Sequence, residues 1–214
     1  MEKNEQQMRQ SLIDYCIEMD QRGLNKGTSG NASIRWQDGL FITPSGMAYD
    51  QLTVEDIVYI DDQGKAPANQ RRPSSEWHFH HAILQSRPEL NAVLHAHSPK
   101  ATAVACMERE LPPFHYMIAI AGGDSVRCAP YHTFGTPALA EAAVAALHNR
   151  RACLLAHHGI ISAGHDIKSA FTVLQEIEHL CSIYLDIIAI EPIKNLTPSQ
   201  IDEAIKKFAS YGKQ

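Results

Sequence analysis

The sequence predicts one compact α/β domain, on the basis of chain length, composition and alternating hydrophobic patterns. Its 214 residues, 44% hydrophobic and 20% charged, suit one compact domain or at most two small ones. Short apolar runs bounded by turn residues alternate with longer segments in which apolar residues recur at helical spacing. No repeat, linker or low-complexity segment interrupts this pattern, so we treat residues 1–214 as a single domain.

Charge and cysteine usage exclude several classes of partner and compartment. The formal net charge of -5 and the pI of about 6.2 do not suggest a nucleic acid or an acidic membrane as partner. The five cysteines are widely spaced and form no CxxC pair, which is typical of reduced thiols in a cytoplasmic protein. Residues 1–9 are polar and no apolar run is long enough to span a bilayer, so we expect neither a signal peptide nor a membrane anchor.

Apolar residues at helical spacing, together with end signals, predict the helices. They are expected at residues 5–22, from residue 76 onward, and at 99–107, 138–148, 167–188 and 198–208. Gly23 is the expected C-cap of the first helix, and Thr136 is an expected N-cap. Ser74 or Ser75 should cap the second helix, with Glu76 in its first turn.

Short apolar runs between turn residues predict the strands. They are expected at residues 32–36, 40–43, 57–60, 89–96, 114–119, 126–130, 152–156 and 160–162. Asp38 and Gly39 form a hairpin signal between the first two strands. The last two strands flank a turn at His157, His158 and Gly159, so this turn joins two buried segments.

Three turns combine small residues that could hold an anion. Residues 27–31 mix Gly, Ser and Asn in a way that suits a nest of backbone N–H groups. Ser45 and Gly46 form a second turn of this kind, while Ser74 and Ser75 place two hydroxyls at a helix start. Taken singly, each is more simply interpreted as an ordinary turn or helix cap, so residue pattern leaves both interpretations open.

His95 and His97 carry the strongest chemical signal. They lie two apart on a predicted strand, so their imidazoles should share one face. The best third ligand is His158, which ends a buried strand, and the best fourth is Glu76 at a helix start. Three imidazoles and one carboxylate, with room for substrate, suit Zn²⁺ acting as a Lewis acid.

Alternative interpretations of the histidines remain open. Most His-x-His pairs are simply polar strand residues, so the pair by itself is a weak signal. His78, His80 and His81 follow Glu76 on the same helix, and we interpret them as surface residues or as residues behind the ligands. His115, His132 and Asp124 stay unassigned. A cupin would also use His-x-His, but its carboxylate follows within a few residues, whereas here the next one is Glu108.

Taken together, these motifs resemble the class II, metal-dependent aldolases of the aldolase/adducin superfamily over nearly the whole chain. Among them, the chain is most similar to the L-fuculose-1-phosphate aldolase group. The matching motifs start at residues 27 (GTSGN), 42 (ITPSG), 73 (PSSEW), 95 (HAH), 115 (HYMIA) and 157 (HHG). Several matches in the family's order and spacing are far more specific than any one alone. The resemblance implies an α/β/α sandwich with a central, largely antiparallel sheet, assembled as a cyclic homotetramer with sites between neighbouring subunits.

The resemblance also implies roles for individual residues. The metal, Zn²⁺ or alternatively Mn²⁺ or Co²⁺, would be held by Glu76, His95, His97 and His158. The substrate phosphate would be held by Gly30, Asn31, Ser45, Gly46, Ser74 and Ser75. Glu76 would also act as general base, and Tyr116 would be a catalytic tyrosine supplied across a subunit interface. Tyr211 would help close the site from a C-terminal tail.

The implied reaction is reversible retro-aldol cleavage of a deoxyketose 1-phosphate of the L-fuculose 1-phosphate type. Its products would be dihydroxyacetone phosphate and a short aldehyde. One alternative is an aldolase for 5-deoxyribulose or 5-methylthioribulose 1-phosphate in salvage, and another is a sugar-phosphate 4-epimerase or a related decarboxylase. A non-catalytic, adducin-like binding module is a further alternative, which the complete ligand set disfavours.

Overall fold

A single sheet of mainly antiparallel strands forms the centre of the fold. The computed structural model describes residues 3–210, and its strands are β1 (Asn31–Trp36), β2 (Gly39–Ile42), β3 (Val58–Ile60), β4 (Ala92–Ala96), β5 (Cys128–Ala129), β6 (Ala152–Leu155) and β7 (Gly159–Gly164). Within that range, these seven strands pair in the order β3-β2-β1-β4-β7-β6-β5. Every neighbouring pair is antiparallel except β5 with β6, which is parallel. The turn after β6 is thereby brought back beside the end of β4.

Helices cover both faces of the sheet. They are α1 (Lys3–Gln21), α2 (Trp77–Ser86), α3 (Pro99–Ala105), α4 (Pro137–Ala146), α5 (Ile167–Ile188) and α6 (Pro198–Ser210). Buried residues of α1, α3 and α5 join one hydrophobic core, and those of α2 and α4 join the other. The architecture is therefore an α/β/α sandwich with a largely antiparallel sheet, which confirms the predicted fold class.

The central strand β4 shows how the two cores are divided. Ala92, Leu94 and Ala96 face the core under α1 and α5, while Val93 faces the core under α2 and α4. This alternation is the period-2 pattern of a strand, here buried on both faces. His95 follows the same alternation as Val93 and is fully buried. A polar ring in such a position needs specific partners.

The start of α2 differs from its prediction. Neither Ser74 nor Ser75 is the N-cap, because Glu76 itself occupies that position, with φ -99° and ψ 12°. The Ser74 hydroxyl accepts a hydrogen bond from the Glu76 N–H at 3.3 Å, and the Ser74 carbonyl accepts one from the Trp77 N–H at 3.1 Å. This turn places Glu76 ahead of the helix proper, and the Glu76 side chain makes no capping hydrogen bond.

The prediction of an extended segment over residues 114–119 is also wrong. Residues Tyr116–Ala121 form a 3-10 helix, which His115 caps by accepting a hydrogen bond from the Met117 N–H at 3.3 Å. The other apolar residues of this run pack into the core on one side, whereas Tyr116 is exposed. The apolar character of the run therefore reflects packing of a short helix and not strand pairing.

The described range bears on three further predictions. Tyr211 lies outside it, so the structure gives no account of that residue. None of the helices formed by residues 3–210 combines the length and apolar character that a membrane crossing requires. All five cysteines are unpaired, in agreement with the prediction of reduced thiols.

Candidate metal centre and anion cleft

Three histidines converge at the end of β4. His95 lies on β4, His97 lies just past its end, and His158 lies in the turn between β6 and β7. Because β7 pairs with β4, that turn comes to rest beside the other two rings. The ring centroids are 4.9 Å apart for His95 and His97, 4.8 Å for His95 and His158, and 4.9 Å for His97 and His158. The predicted histidine cluster is therefore present, and its ligand atoms lie within 4.8 Å of one another.

The turn that carries His158 is under two constraints. His157 has a positive φ of 54°, which is uncommon for a residue with a side chain. Gly159 has no room for a side chain, since an added Cβ would overlap the Ala96 carbonyl oxygen and lie 3.2 Å from His97 Cδ2 and 3.3 Å from His95 Cε1. Glycine is thus required here because the backbone passes directly against the Ala96 carbonyl and the rings of His95 and His97.

Gly159→Ala is therefore expected to disturb the metal centre while the fold remains. Pushing the turn away from β4 should displace His158 and weaken metal affinity about 10- to 100-fold, the range seen when support behind a metal ligand is lost. Competition against a chromogenic chelator measures this directly. Gly23→Ala is a control for the general cost of replacing a glycine, because the positive φ of Gly23 makes that change strained although the space around it is open. Wild-type metal affinity in Gly159→Ala would contradict the packing argument.

The protonation state of the three rings suits metal binding. Burial lowers the pKa of His95 to about 3 and that of His158 to about 4. Burial also lowers the pKa of His97. His95 Nδ1 lies 3.0 Å from the Ile160 carbonyl oxygen, so Nδ1 donates there and Nε2 carries the free lone pair. The rings are therefore neutral near pH 7, which is the form that ligates metals.

Glu76 completes the donor set. Its Oε2 lies 3.3 Å from His95 Nε2, and its Oε1 lies 3.3 Å from His158 Nε2. The residue is only 6% exposed, yet Oε1 has no hydrogen-bond partner. An orphaned carboxylate oxygen beside neutral imidazoles is costly unless a cation neutralises it. Three imidazoles and one carboxylate fit a divalent metal such as Zn²⁺.

A cleft of about 380 Å³ opens directly onto this cluster. Glu76, His97 and His158 lie on its wall. The same cleft is lined by all of the residues predicted to hold phosphate: Gly30, Asn31, Ser45, Gly46, Ser74 and Ser75. An isolated bridge between Pro44 and Pro73 brings the second and third of these turns together. Turns that sequence left individually ambiguous thus share one cavity with the histidines.

Three further residues with aromatic rings also line the cleft. They are Tyr131, His132 and Phe134, and the residues Tyr131 and Phe134 are 59% and 63% exposed. His157 lies there too, with Nε2 at 2.6 Å from Glu108 Oε1. The cleft lining therefore combines exposed aromatic residues with the polar residues of the three turns.

Two residues considered in the sequence do not reach the cleft. Tyr116 is 54% exposed and lines a different groove, where its ring stacks on Phe208 with centroids 6.4 Å apart. Asp124 pairs with Arg150 at a separate surface. Within the described part of the chain, Tyr116 therefore lies apart from the histidine cluster and its cleft.

Sequence reasoning missed the residues that hold the ligands in place. Asn25 Oδ1 accepts a hydrogen bond from the His97 N–H at 3.0 Å. Glu178 accepts one from the Ser98 hydroxyl at 2.7 Å and one from the Ala101 N–H at 2.8 Å, which fixes the helix start behind His97. None of these side chains belongs to a motif, and only the folded chain brings them to the site.

His80 is the one supporting residue that a sequence signal could have found. It is fully buried, whereas His81 is half-buried and lies 3.0 Å from a backbone carbonyl of a surface turn. The sequence left two interpretations for these histidines: surface residues, or residues that lie behind the ligands. His80 fits the second interpretation. Its spacing of four residues from Glu76 places both on one side of α2, and that spacing was the available signal.

Comparisons with known proteins agree with this geometry. A family model described as "Class II Aldolase and Adducin N-terminal domain" matches residues 10–185. The chain is 47% identical to the L-fuculose phosphate aldolase of Escherichia coli (strain K12), covering 99% of this chain and 98% of that protein. It is 45% identical to the 5-methylthioribulose-1-phosphate/5-deoxyribulose-1-phosphate aldolase of Rhodospirillum rubrum, covering 96% and 92% respectively.

The comparison with solved structures identifies the same family as the sequence comparison. A solved structure titled "L-fuculose 1-phosphate aldolase" superimposes with a TM-score of 0.92 at 37% identity, covering 95% of this chain and 96% of that one. The family match, the near full-length relatives and the shared fold confirm the predicted family. The chain belongs to the family of class II aldolases and adducin N-terminal domains.

Proposed function

We propose that this protein is a metal-dependent aldolase that reversibly cleaves a deoxyketose 1-phosphate into dihydroxyacetone phosphate and a short aldehyde. The observation that carries the proposal is the position of the His95, His97, His158 and Glu76 cluster on the wall of a cleft built from three small-residue turns. Metal and phosphate chemistry would then meet in one cavity. The names of the 47% and 45% identical relatives, both sugar-phosphate aldolases, support this proposal.

The phosphate seat would fix the substrate by its 1-phosphate. No lysine or arginine is among the residues that line the cleft in the described range, so backbone N–H groups, the Asn31 amide and the hydroxyls of Ser45, Ser74 and Ser75 would do the binding. Holding the phosphate at one end orients the ketone and its neighbouring hydroxyl toward the histidine cluster. Such positioning supplies a large share of catalysis in bond-cleaving enzymes.

The metal centre would be formed by Glu76, His95, His97 and His158. When bound there, Zn²⁺ would act as a Lewis acid that stabilises the negative charge developing on the substrate ketone oxygen. Mn²⁺ or Co²⁺ could take its place. No lysine lies among the cluster or cleft-lining residues that the structure describes, so the proposal involves no Schiff base.

Glu76 and the tyrosines would handle protons. Glu76 lies on the wall of the cleft and 3.3 Å from His158 Nε2, so it would both help to hold the metal and move a proton as general base. Tyr116 would act at the aldehyde oxygen of a neighbouring subunit's site, and Tyr211 would help to close that site. The exposure of Tyr116 away from its own cleft supports a homotetramer with shared sites.

The identity of the aldehyde half defines the alternatives. L-Fuculose 1-phosphate is the first candidate, and 5-deoxyribulose or 5-methylthioribulose 1-phosphate is the second, favoured by the R. rubrum relative. A 4-epimerase, a decarboxylase or a non-catalytic module would share the fold without this cleavage. We further propose a cytoplasmic location, consistent with five free thiols.

The experiment is a substrate panel on zinc-loaded protein. Incubation with dihydroxyacetone phosphate plus lactaldehyde, acetaldehyde or methylthioacetaldehyde should give a ketose 1-phosphate with at least one aldehyde. The best aldehyde identifies the substrate. Absence of product with all three, from protein that binds zinc, would favour the epimerase or decarboxylase. Absence of both product and metal would favour the non-catalytic module.

A further inference from the structure

A buried chain of hydrogen bonds runs from Glu76 into the interface between α2 and β1. Glu76 Oε2 accepts a hydrogen bond from Asn31 Nδ2 at 2.9 Å. Asn31 Oδ1 is bonded to His80 Nε2, and His80 Nδ1 lies 2.7 Å from the Ser33 hydroxyl. His80 and Ser33 are fully buried, and Asn31 is 4% exposed. The proposed mechanism uses neither His80 nor Ser33.

The strand and the helix bring these groups together for a simple reason. Asn31 and Ser33 are two apart on β1, so both point to the α2 side of the sheet. His80 is four residues beyond Glu76, so both lie on the side of α2 that meets that strand. Each nitrogen of the His80 ring therefore meets one β1 side chain, and only the Nε2 branch continues to the metal centre.

The direction of every hydrogen bond in the chain can be assigned. A carboxylate only accepts, so the Asn31 group facing Glu76 is the amide NH₂ and the group facing His80 is the amide oxygen. His80 Nε2 must then carry hydrogen and donate to Asn31. Burial lowers the pKa of His80 well below its ordinary value, so Nδ1 is free to accept the Ser33 hydroxyl hydrogen. All three hydrogen bonds point toward Glu76.

The His80 N–H therefore decides which way the Asn31 amide faces. Without it, the amide could rotate and set its oxygen against the Glu76 carboxylate, which is a repulsive arrangement. The carboxylate would lose its donor and, with it, the orientation in which Oε1 faces His158. Asn31 also lines the anion cleft, so its orientation affects the proposed phosphate seat as well.

We propose that His80 is a positioning residue for Glu76, acting through the Asn31 amide, with Ser33 fixing the His80 tautomer. The inference rests on the proposed function for the role of Glu76, but the hydrogen-bond chain itself does not depend on it. Residues behind metal ligands commonly change metal affinity or activity about 10- to 100-fold when removed. We expect loss of the His80 N–H donor to have an effect of this size on metal affinity or activity.

Two matched amide variants test the inference. In His80→Gln, the side-chain amide reaches the position of Nε2 and can still donate to Asn31. In His80→Asn, the shorter amide reaches only the position of Nδ1. We expect His80→Asn to lower zinc affinity and kcat about 10- to 100-fold, while His80→Gln recovers most of both. Chelator competition measures the zinc affinity, and ketose 1-phosphate cleavage measures kcat and KM.

Two further variants keep the test decisive. Ser33→Ala removes the Nδ1 partner but leaves the Nε2 donor, so its losses should be much smaller than those of His80→Asn. Asn31→Asp keeps the shape but has no N–H for Glu76, so it should reproduce the loss even where His80→Asn does not fold. A purely structural role predicts instead that activity follows thermal stability in all four variants.

The outcomes separate the inference from the proposed function. Equal impairment of His80→Gln and His80→Asn would overturn the inference, as would wild-type zinc affinity and kcat in Asn31→Asp. If the wild type binds zinc but cleaves no ketose 1-phosphate, the proposed function fails, and the zinc affinities of the four variants still decide the inference. If the wild type binds no divalent metal, both fail.

Discussion

His95→Ala is expected to abolish metal binding and turnover together. His95 is fully buried, contacts Glu76 and the other two histidines, and presents its free lone pair to the centre of the cluster. Its loss removes a ligand, so metal affinity should fall by more than the roughly 10- to 100-fold typical of supporting residues. Turnover should fall by at least about 10²- to 10³-fold, the range for losing one group that stabilises developing charge.

The two losses in His95→Ala must be measured on the same protein. Metal content by elemental analysis and dihydroxyacetone phosphate release should decline in parallel, with far-UV circular dichroism unchanged. His148→Ala is the matched control, because His148 is exposed and belongs neither to the histidine cluster nor to the lining of the cleft. Full metal stoichiometry and affinity in His95→Ala would contradict the ligand assignment.

Glu76→Gln is expected to separate metal binding from catalysis. The glutamine keeps the size of the side chain and one carbonyl oxygen, and the three histidines remain, so some metal should be retained. The amide cannot accept the substrate proton, so kcat should fall by about 10²- to 10⁴-fold, the usual contribution of a general base. The measurement is metal content together with steady-state kcat and KM.

Glu141→Gln makes the same chemical change at an exposed position on α4 and should leave kcat unaltered. A Glu76→Gln enzyme that turns over at the wild-type rate would refute the general-base role. If it lost all metal as well as activity, Glu76 would be primarily a ligand, and the base would have to be sought elsewhere.

Local sequence signals were sufficient for the parts of the site that depend on neighbours in the chain. The two-residue spacing of His95 and His97 predicted a shared face, and the position of His158 at the end of a buried strand, just before Gly159, predicted a third ligand. Helix spacing and turn residues placed most helices and strands correctly. These signals became specific only in combination, because the order of the motifs along the chain indicated the family.

Other parts of the site depend on which elements become neighbours in the fold. The sheet order brings β7 beside β4, and that order makes Gly159 pass against His95 and His97. His80 is buried because α2 packs over β1. There the two ring nitrogens of His80 form hydrogen bonds with Ser33 and Asn31. The four-residue spacing from Glu76 is a sequence signal for His80 that the nearby His81 lacks, but the residue pattern does not show that the His80 ring is buried or which side chains it meets.

The two local errors have the same origin. Glu76 looked like an ordinary first-turn glutamate, but its position as N-cap reflects its burial beside two histidines. The apolar run around Tyr116 was predicted to be extended, but the segment packs as a short 3-10 helix against α5 and α6. In both cases tertiary packing outweighed the local pattern.

The central claim is that cleavage depends on a metal held by this cluster, and removal and return of the metal test it most directly. The purified protein should carry about one divalent ion per chain, and dihydroxyacetone phosphate release from L-fuculose 1-phosphate or 5-deoxyribulose 1-phosphate should stop when a chelator removes that ion. Adding Zn²⁺ back should restore release in the wild type but not in His95→Ala. Undiminished release from fully metal-free protein would contradict the account.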